Sequence, residues 1–209
     1  MGDLQSFKNG CSDVLTRYHD PARQGWSEPI RVTDHAAGDW EPRLAFGAGD
    51  EALIVFDSYR NGNFDVFLAR VSPSGEVVTL PVTDSDRYQG RPEAAASVDG
   101  SALWVAYEDG VSRWGKDLGS EWRQTGGGLH YDRHMYLARV DLASGKCRTV
   151  ADVTPLVPNL RATLGQPTSG SICLPELLVD DLDRPWLFFR YGKKNWEVAL
   201  LSSMVRAMA

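Results

Sequence analysis

Apolar positions along this chain fall into short runs of five to seven residues, separated by turns rich in Gly, Asp, Asn and Ser. Two clear runs are "ALIVFDS" from Ala52 and "ALWVAYE" from Ala102, and each closely follows a turn that contains Gly and Asp. β-Branched and aromatic residues are enriched in these runs, and no segment shows convincing helical periodicity. The pattern predicts antiparallel β-strands joined by tight turns.

The runs belong to a repeat. The segment Val32–Asp34 returns as Val82–Asp84, and Pro42 returns as Pro92, both 50 positions later. The stretch "NGNFDVFLARV" has a partial copy upstream, "NGCSDVL", and another downstream, "HMYLARV", where the longer spacing indicates an insertion. A last copy reads "CLPELLVDDLDRPWLFFRYGKKNWEVALL". The chain therefore carries several versions of one structural unit.

Four strands in each unit of about 50 residues are typical of a β-propeller blade. A β-sandwich is the alternative, but it needs no internal repeat. We predict an all-β β-propeller of four-stranded antiparallel blades in a single domain, residues 1–209. The blade units are about 1–34, 35–84, 85–155 with an insertion at 110–130, and 156–209. Three to four blades suggest part of a larger ring, with a minimal closed ring as the alternative.

The strings "VTDSDRYQGRPEAAASVDGSALWVAYEDG" and "FDSYRNGNFDVFLARV" resemble the TolB-like, WD40-like (PD40) repeat of bacterial propellers. This resemblance implies a binding domain of a larger bacterial protein, with an extracytoplasmic location. The strings "WGKDLG" and "LPELLVDDLDRPWLFFR" also resemble the propeller region that precedes PHP-type phosphoesterase domains. In that case the metal-dependent catalytic domain lies outside these residues, since they contain no such histidine-rich motif.

Charge and composition exclude some functions. The chain has 22 basic and 28 acidic residues, and a net charge of −6 disfavours binding to a nucleic-acid backbone. No apolar run is long enough to predict a membrane span, and the first residues do not resemble a signal peptide. The three cysteines, Cys11, Cys147 and Cys173, form no zinc motif and leave the redox compartment open. We expect no cofactor.

Up-and-down strand order places the unusual loops of all units on one face of the propeller. The insertion contributes Trp114, Lys116 and Asp117, which we consider a lid or ligand loop, because long loops in compact domains are usually functional or mobile. A decorative loop or a dimer contact is the alternative. His130, Asp132 and His134 share one face of a predicted strand and are weak metal-ligand candidates. We expect instead that these three are ordinary polar residues at the start of a strand.

Arginines and aromatic residues supply further ligand candidates. Arg60 and Arg190 end second strands in two units and could clamp a carboxylate or a sugar acid. The alternative is that Arg60 fixes the "YRNGN" turn to the neighbouring blade. Trp40, and Tyr88 with Arg91, occupy corresponding loops before the prolines. Aromatic rings there suit sugar stacking, but they could equally be wedges between blades.

Carboxylates suggest a second class of function. Two carboxylates that flank a glycosidic bond are the requirement of most glycoside hydrolases. The candidates are Glu41 and Glu108, followed by Glu93 and Glu176. The chain lacks the S-x-D-x-G-x-x-W turns expected of a sialidase and the G-x-S-x-G elbow of a serine hydrolase.

The first functional prediction is a non-catalytic domain that binds a small molecule, a carbohydrate or an adjoining domain. The alternative is a carbohydrate-active enzyme, a glycoside hydrolase, sialidase-like enzyme or lyase, that uses Glu and Arg residues of the loop face. A structural accessory domain beside a phosphoesterase is a third possibility. Unclosed blades also predict self-association, because their exposed sheet faces need a neighbour.

Overall fold

The computed structural model describes residues 12–112, 133–156, 171–192 and 196–202. Near the amino terminus lie four two-residue strands. Of these, β1 (Leu15–Thr16) pairs with β4 (Ile30–Arg31), and β2 (His19–Asp20) pairs with β3 (Gly25–Trp26). The described residues contain no α-helix, and two 3-10 turns, Ala48–Asp50 and Thr154–Leu156, are the helical elements found there.

Three larger antiparallel sheets follow. The first sheet comprises β5 (Asp39–Phe46), β6 (Ala52–Ser58), β7 (Asp65–Val71) and β8 (Val77–Pro81). The second comprises β9 (Tyr88–Ala96), β10 (Ala102–Gly110), β11 (His134–Asp141) and β12 (Cys147–Asp152). The third comprises β13 (Ser171–Val179), β14 (Pro185–Gly192) and β15 (Trp196–Ser202). Each sheet is an up-and-down meander, so the predicted all-β fold of four-stranded antiparallel blades is confirmed.

Apolar residues on both faces of the strands build a core between successive sheets. Leu53 and Ile54 are neighbours on β6, so their side chains point to opposite faces. Leu53 packs between the first and second sheets with Leu103 and Val105. Ile54 packs towards the amino-terminal strands with Val14. The sheets therefore stack face to face as successive blades, and they form an open arc.

One hydrogen-bond pair recurs where the third and fourth strands of a unit separate. In the first sheet, for example, the backbone N–H of Val66 donates to the hydroxyl of Thr83. The carbonyl of Val66 in turn accepts a hydrogen bond from the N–H of Val82, the residue before the threonine. The donor–hydroxyl pairs are Val14 and Thr33 at 2.9 Å, Val66 and Thr83 at 2.8 Å, and Met135 and Thr154 at 2.9 Å. Val14 and Thr33 flank β1 and β4, so these two strands take the places of the third and fourth strands in a further unit.

The first strand of each sheet is interrupted at its proline. Glu41, Arg91 and Leu174 each precede a proline and have a φ of 50°, 51° and 56°. The pairing of each strand with its neighbour shifts register there. Positive φ is unusual for residues with side chains, so three such residues at one repeat position mark a built feature of the fold.

The first, second and third sheets fall within the predicted units 35–84, 85–155 and 156–209. The unit boundaries themselves stay predictions. Most of the predicted insertion lies outside the described residues, between Gly110 of β10 and His134 of β11. No helix in the described part of the chain has the length and apolar character to span a membrane.

Candidate functional site

The inner strands β5, β9 and β13 lie side by side and bring charged residues together. The residue after each proline is Arg43 on β5, Glu93 on β9 and Glu176 on β13, so these three occupy one repeat position. Arg43 Nε donates a hydrogen bond to Glu93 Oε1 across the boundary between the first two sheets. We call Glu41, Arg43, Arg91, Glu93 and Glu176 the inner-strand site.

Glu93 is the most enclosed carboxylate of the inner-strand site, with a side chain that is 13% exposed. Burial raises the pKa of Glu93, and Arg43 lowers it. The negative charges of Glu176 and Glu41 raise the pKa again, so the result lies above the usual value for a glutamate. Glu93 therefore keeps its proton to a higher pH than an exposed carboxyl does.

Arg91 connects the inner-strand site to the interior. Its Nη1 lies 3.5 Å from both carboxylate oxygens of Glu108, and its Nε lies 3.8 Å from Glu41 Oε1. Its backbone N–H donates to Asp57 Oδ2 at 3.1 Å. Burial lowers the pKa of Arg91, but the neighbouring carboxylate of Glu108 and the Tyr88 hydroxyl outweigh this and raise it. The guanidinium is thus held between carboxylates of two sheets.

Glu108 is fully buried and connects the second sheet to the third. Its Oε1 accepts the backbone N–H of Leu174 at 2.7 Å, and its Oε2 lies 3.5 Å from Nη2 of Arg133. Arg133 Nη1 also donates to the carbonyl of Ile172 at 3.3 Å. A substrate would have to displace Arg91 or Arg133 to reach this predicted catalytic candidate.

Asp57 is the counterpart of Glu108 in the first sheet, and sequence reasoning did not find it. Within their sheets, Asp57 lies opposite Trp40, Glu108 opposite Gly90, and Arg190 opposite Cys173. Each of the three opposed residues stands two positions before a proline. The repeat spacing from Asp57 to Glu108 is 51 positions, one more than between the prolines, so a one-residue gap in the repeat alignment would have revealed it.

A glycine lets the second sheet approach Asp57 closely. A Cβ atom built on Gly90 would lie 2.6 Å from Asp57 Oδ2 and 2.7 Å from the hydroxyl of Tyr88. Real Cβ atoms do not approach other atoms so closely, so a side chain at position 90 would force Asp57 or Tyr88 to shift. The sequence "YQGRP" thus places Tyr88, Gly90 and Arg91 at one inter-sheet contact.

The two arginines predicted as a clamp lie in different environments. Arg60 Nη2 donates to Asp39 Oδ1 at 2.9 Å, and its Nε donates to the Ser58 hydroxyl at 3.0 Å. Its guanidinium also lies 4.3 Å from the centroid of the Phe67 ring. Arg60 is therefore held within the first sheet, whereas Arg190 is exposed near the end of β14.

The predicted aromatic ligand residues pack around Phe64, which lies in the loop before β7. The centroid of the Phe64 ring is 5.3 Å from Trp40 and 5.6 Å from Tyr88. Tyr88 is 2% exposed, and burial raises its pKa well above the usual range. Trp40 keeps part of its surface exposed beside Glu41. Only Trp40 of this pair has aromatic surface for a ligand.

His134 Nδ1 lies 3.0 Å from Asp152 Oδ2, and its ring stacks near Tyr136. Among the described residues no group of three or more His, Cys, Asp or Glu side chains could hold a metal ion. The other metal candidates, His130 and Asp132, lie outside the described residues. So do the insertion candidates, Trp114, Lys116 and Asp117.

No protein-family model matches the chain, and no curated protein sequence matches it. Solved structures do match. A Hadza microbial sialidase aligns with a TM-score of 0.57 and 12% identity, over 82% of this chain and 36% of the sialidase. A xylan β-1,4-xylosidase from Bacillus halodurans C-125 aligns with a TM-score of 0.50 and 18% identity, over 85% and 33%. An endo-arabinase from Bacteroides thetaiotaomicron VPI-5482 aligns with a TM-score of 0.50 and 10% identity, over 93% and 76%.

The chain thus spans 36% and 33% of the first two of these proteins. Together with the repeated four-stranded sheets, the likenesses show a partial β-propeller. They give no support to the narrower TolB-like and WD40-like assignment. They also contradict the first functional prediction, a non-catalytic binding domain, because the solved structures that share the fold are a sialidase, a xylosidase and an endo-arabinase.

Proposed function

We propose that this chain forms part of a carbohydrate-active propeller enzyme of the glycoside hydrolase type, with its chemistry at the inner-strand site. The observation that carries the proposal is the position of Glu93, which is enclosed beside Arg43 and acted on by the charges of Glu41 and Glu176. The sialidase, the xylosidase and the endo-arabinase that share this fold support the same class of reaction.

Glycoside hydrolysis needs one carboxyl group that donates a proton to the leaving oxygen and one carboxylate that acts as base or nucleophile. The two groups must have different environments, so that one stays protonated while the other is ionised. Glu93 meets the first requirement, because burial raises its pKa. Glu41 and Glu176 are more exposed carboxylates on the neighbouring inner strands, and either can supply the second group.

The remaining residues would orient these groups. Arg43 binds the carboxylate of Glu93 and limits its rotation. Arg91 lies 3.8 Å from Glu41, and the buried Glu108, 3.5 Å away, holds it in place. The exposed part of Trp40 offers an apolar surface on which a sugar ring can stack. Glu108 then acts as a support for Arg91 and not as a group that touches the substrate.

The narrower resemblances stay proposals. A TolB-like or phosphoesterase-linked ancestry would place the protein outside the cytoplasm of a bacterium. Cell fractionation of the native host with an antibody against this chain tests the location, and recovery in the cytoplasmic fraction would contradict it.

The catalytic proposal is tested with aryl glycosides. We expect the 209-residue chain to cleave at least one member of a panel of 4-nitrophenyl xylosides, arabinofuranosides, glucosides, galactosides, mannosides and sialosides. Glu93→Gln should lower kcat by about 10²- to 10⁴-fold, the usual contribution of a general acid. Glu51→Gln is the matched control, because Glu51 pairs with Arg70 at the opposite end of β5 and β6.

Glycosides with different leaving groups show whether Glu93→Gln loses activity because the acid is missing or because the variant is misfolded. A 2,4-dinitrophenyl leaving group needs little protonation, so Glu93→Gln should retain most of the activity on that glycoside while losing it on the alkyl or 4-nitrophenyl compound. Equal losses on both substrates would argue against Glu93 as the acid. No turnover of any glycoside in the panel would overturn the proposed function.

A further inference from the structure

The cations of the inner-strand site already have carboxylate partners. Arg43 pairs with Glu93. Arg91 lies 3.5 Å from Glu108 and 3.8 Å from Glu41. The nearby Arg133, with a side chain that is 7% exposed, lies 3.5 Å from Glu108. Arg190, at the exposed end of β14, is likewise engaged in an interaction with the rest of the chain.

Acidic side chains are at least as numerous as basic ones among the described residues around these cations. Each of the three inner strands carries ionisable residues next to its proline, and Asp57 and Glu108 lie directly behind them. The acidic members of this region are Glu41, Asp57, Glu93, Glu108 and Glu176, and the basic members are Arg43, Arg91, Arg133 and Arg190. An additional anion would therefore enter a region where Arg43, Arg91 and Arg133 each already have an acidic partner.

We propose that the inner-strand site accepts a neutral sugar and discriminates against sugars that carry a carboxylate. The inference rests on the proposed function and adds the class of substrate. Recognition of a carboxylate usually relies on a guanidinium that is free to form two parallel hydrogen bonds. Here a sugar carboxylate would have to displace Glu93 from Arg43 or Glu41 from Arg91, and the displaced carboxylate would remain nearby.

Hydroxyl groups suit this arrangement better than a carboxylate does. A sugar hydroxyl can donate a hydrogen bond to Glu41 or Glu176 and accept one from an arginine N–H without adding charge. Trp40, which precedes Glu41 in the chain, has a partly exposed ring that offers an apolar surface to a sugar. The site thus offers both halves of neutral-sugar recognition.

Matched ligand pairs test the inference by isothermal titration calorimetry. The probes are methyl glucoside with methyl glucuronide, methyl galactoside with methyl galacturonide, and methyl mannoside with methyl mannuronide. Each pair differs only in a hydroxymethyl group or a carboxylate at C6. We expect the chain to bind the neutral member of at least one pair about tenfold more tightly than the charged member.

Two variants establish whether Arg43 is the cause. Glu93→Gln removes the carboxylate partner of Arg43 and should shift the affinity ratio towards the uronide by about tenfold. Glu51→Gln removes one negative charge from Arg70, away from the inner-strand site, and should leave the ratio unchanged. Equal shifts in both variants would overturn the inference, because they would reflect net charge alone.

The other outcomes separate the two proposals. Tighter binding of the uronide by the unaltered chain would overturn the neutral-sugar inference and leave the glycoside hydrolase proposal intact. If no member of any pair binds and no aryl glycoside is cleaved, the proposed function fails, and the inference that rests on it fails as well.

Discussion

The backbone N–H of Leu174 donates a 2.7 Å hydrogen bond to the buried Oε1 of Glu108, across the boundary between the second and third sheets. The same contact joins the first two sheets, where the N–H of Arg91 donates to Asp57 at 3.1 Å. In both cases the donor is a residue of positive φ before a proline. An acidic residue of one second strand therefore fixes the distorted inner strand of the next sheet.

Removal of the Glu108 carboxylate should destabilise the fold strongly. Glu108→Ala would remove the buried carboxylate that lies 3.5 Å from both Arg91 and Arg133, and it would also remove the acceptor for Leu174. The loss of one partner from a buried ion pair costs about 3–5 kcal/mol. Urea denaturation measures the change in unfolding free energy.

Glu51→Ala is the control for this effect, because the pair of Glu51 and Arg70 is more exposed, at 20% and 28%. Its loss should cost about 1 kcal/mol, the upper end of the range for ion pairs near the surface, because Arg70 binds both oxygens of Glu51. Similar costs for the two variants would show that Glu108 has no special role between the sheets.

Gly90→Ala should also destabilise the chain, because the new methyl group would meet Asp57 Oδ2 at 2.6 Å and the Tyr88 hydroxyl at 2.7 Å. Overpacking of a buried site costs about 1–3 kcal/mol. Gly25→Ala is the matched control, since the nearest atom to its new Cβ lies 3.7 Å away. Thermal denaturation of both variants checks the difference, and equal melting temperatures would contradict the close approach of the sheets.

Repeat position and strand pattern were enough to predict the sheets. The prolines at 42 and 92 and the apolar runs after them mark the same strands in the structure, because a two-residue alternation and a turn are local properties. Chain positions alone also grouped Trp40 with Tyr88 and Glu41 with Arg91. Glu41 and Arg91 do lie at corresponding places on β5 and β9, each directly before its proline, whereas the counterpart of Trp40 is Gly90 and Tyr88 lies two positions earlier.

Side-chain contacts between strands, whether within one sheet or between sheets, could not be predicted in the same way. Arg60 binds Asp39, which lies 21 positions earlier, and nothing local to the "YRNGN" turn indicates that partner. The second unit has one more residue than the first between its proline and the acidic residue of its second strand, so Asp57 aligns with Glu108 only when a one-residue gap is allowed. Burial of Glu108 depends on Arg133 and Leu174, which enter from other strands.

The threonine at the start of each inter-sheet loop should contribute to stability through its hydroxyl. Thr83→Val keeps the shape of the side chain but removes the acceptor for the N–H of Val66, which lies 2.8 Å away in the core. An unsatisfied buried donor costs about 1–3 kcal/mol. Thr79→Val on β8 is the control, because Thr79 is exposed and valine is favoured in strands. Urea denaturation that ranks the two variants in the opposite order would contradict the role of the hydroxyl.

Glu93 should show opposite effects on stability and activity. Its folded-state pKa is raised, so the folded chain binds a proton that the unfolded chain releases. Glu93 therefore contributes most to the free energy of unfolding at pH values below the usual glutamate pKa. That contribution is lost as the pH rises through the raised pKa of the folded chain. Glu93→Gln cannot lose this proton, so the variant should lack that decline and should be at least as stable as the unaltered chain at pH 8.

The measurement is urea denaturation of both proteins between pH 4 and pH 8, in parallel with turnover of the aryl glycoside that the chain cleaves. We expect the stability difference, variant minus unaltered chain, to increase with pH while the variant stays impaired in catalysis. Such a trade-off is common where an active site holds a carboxyl group in an unfavourable environment. A difference that stays constant across this range would show that Glu93 titrates alike in the folded and unfolded chain, and it would remove the physical basis for an acid role.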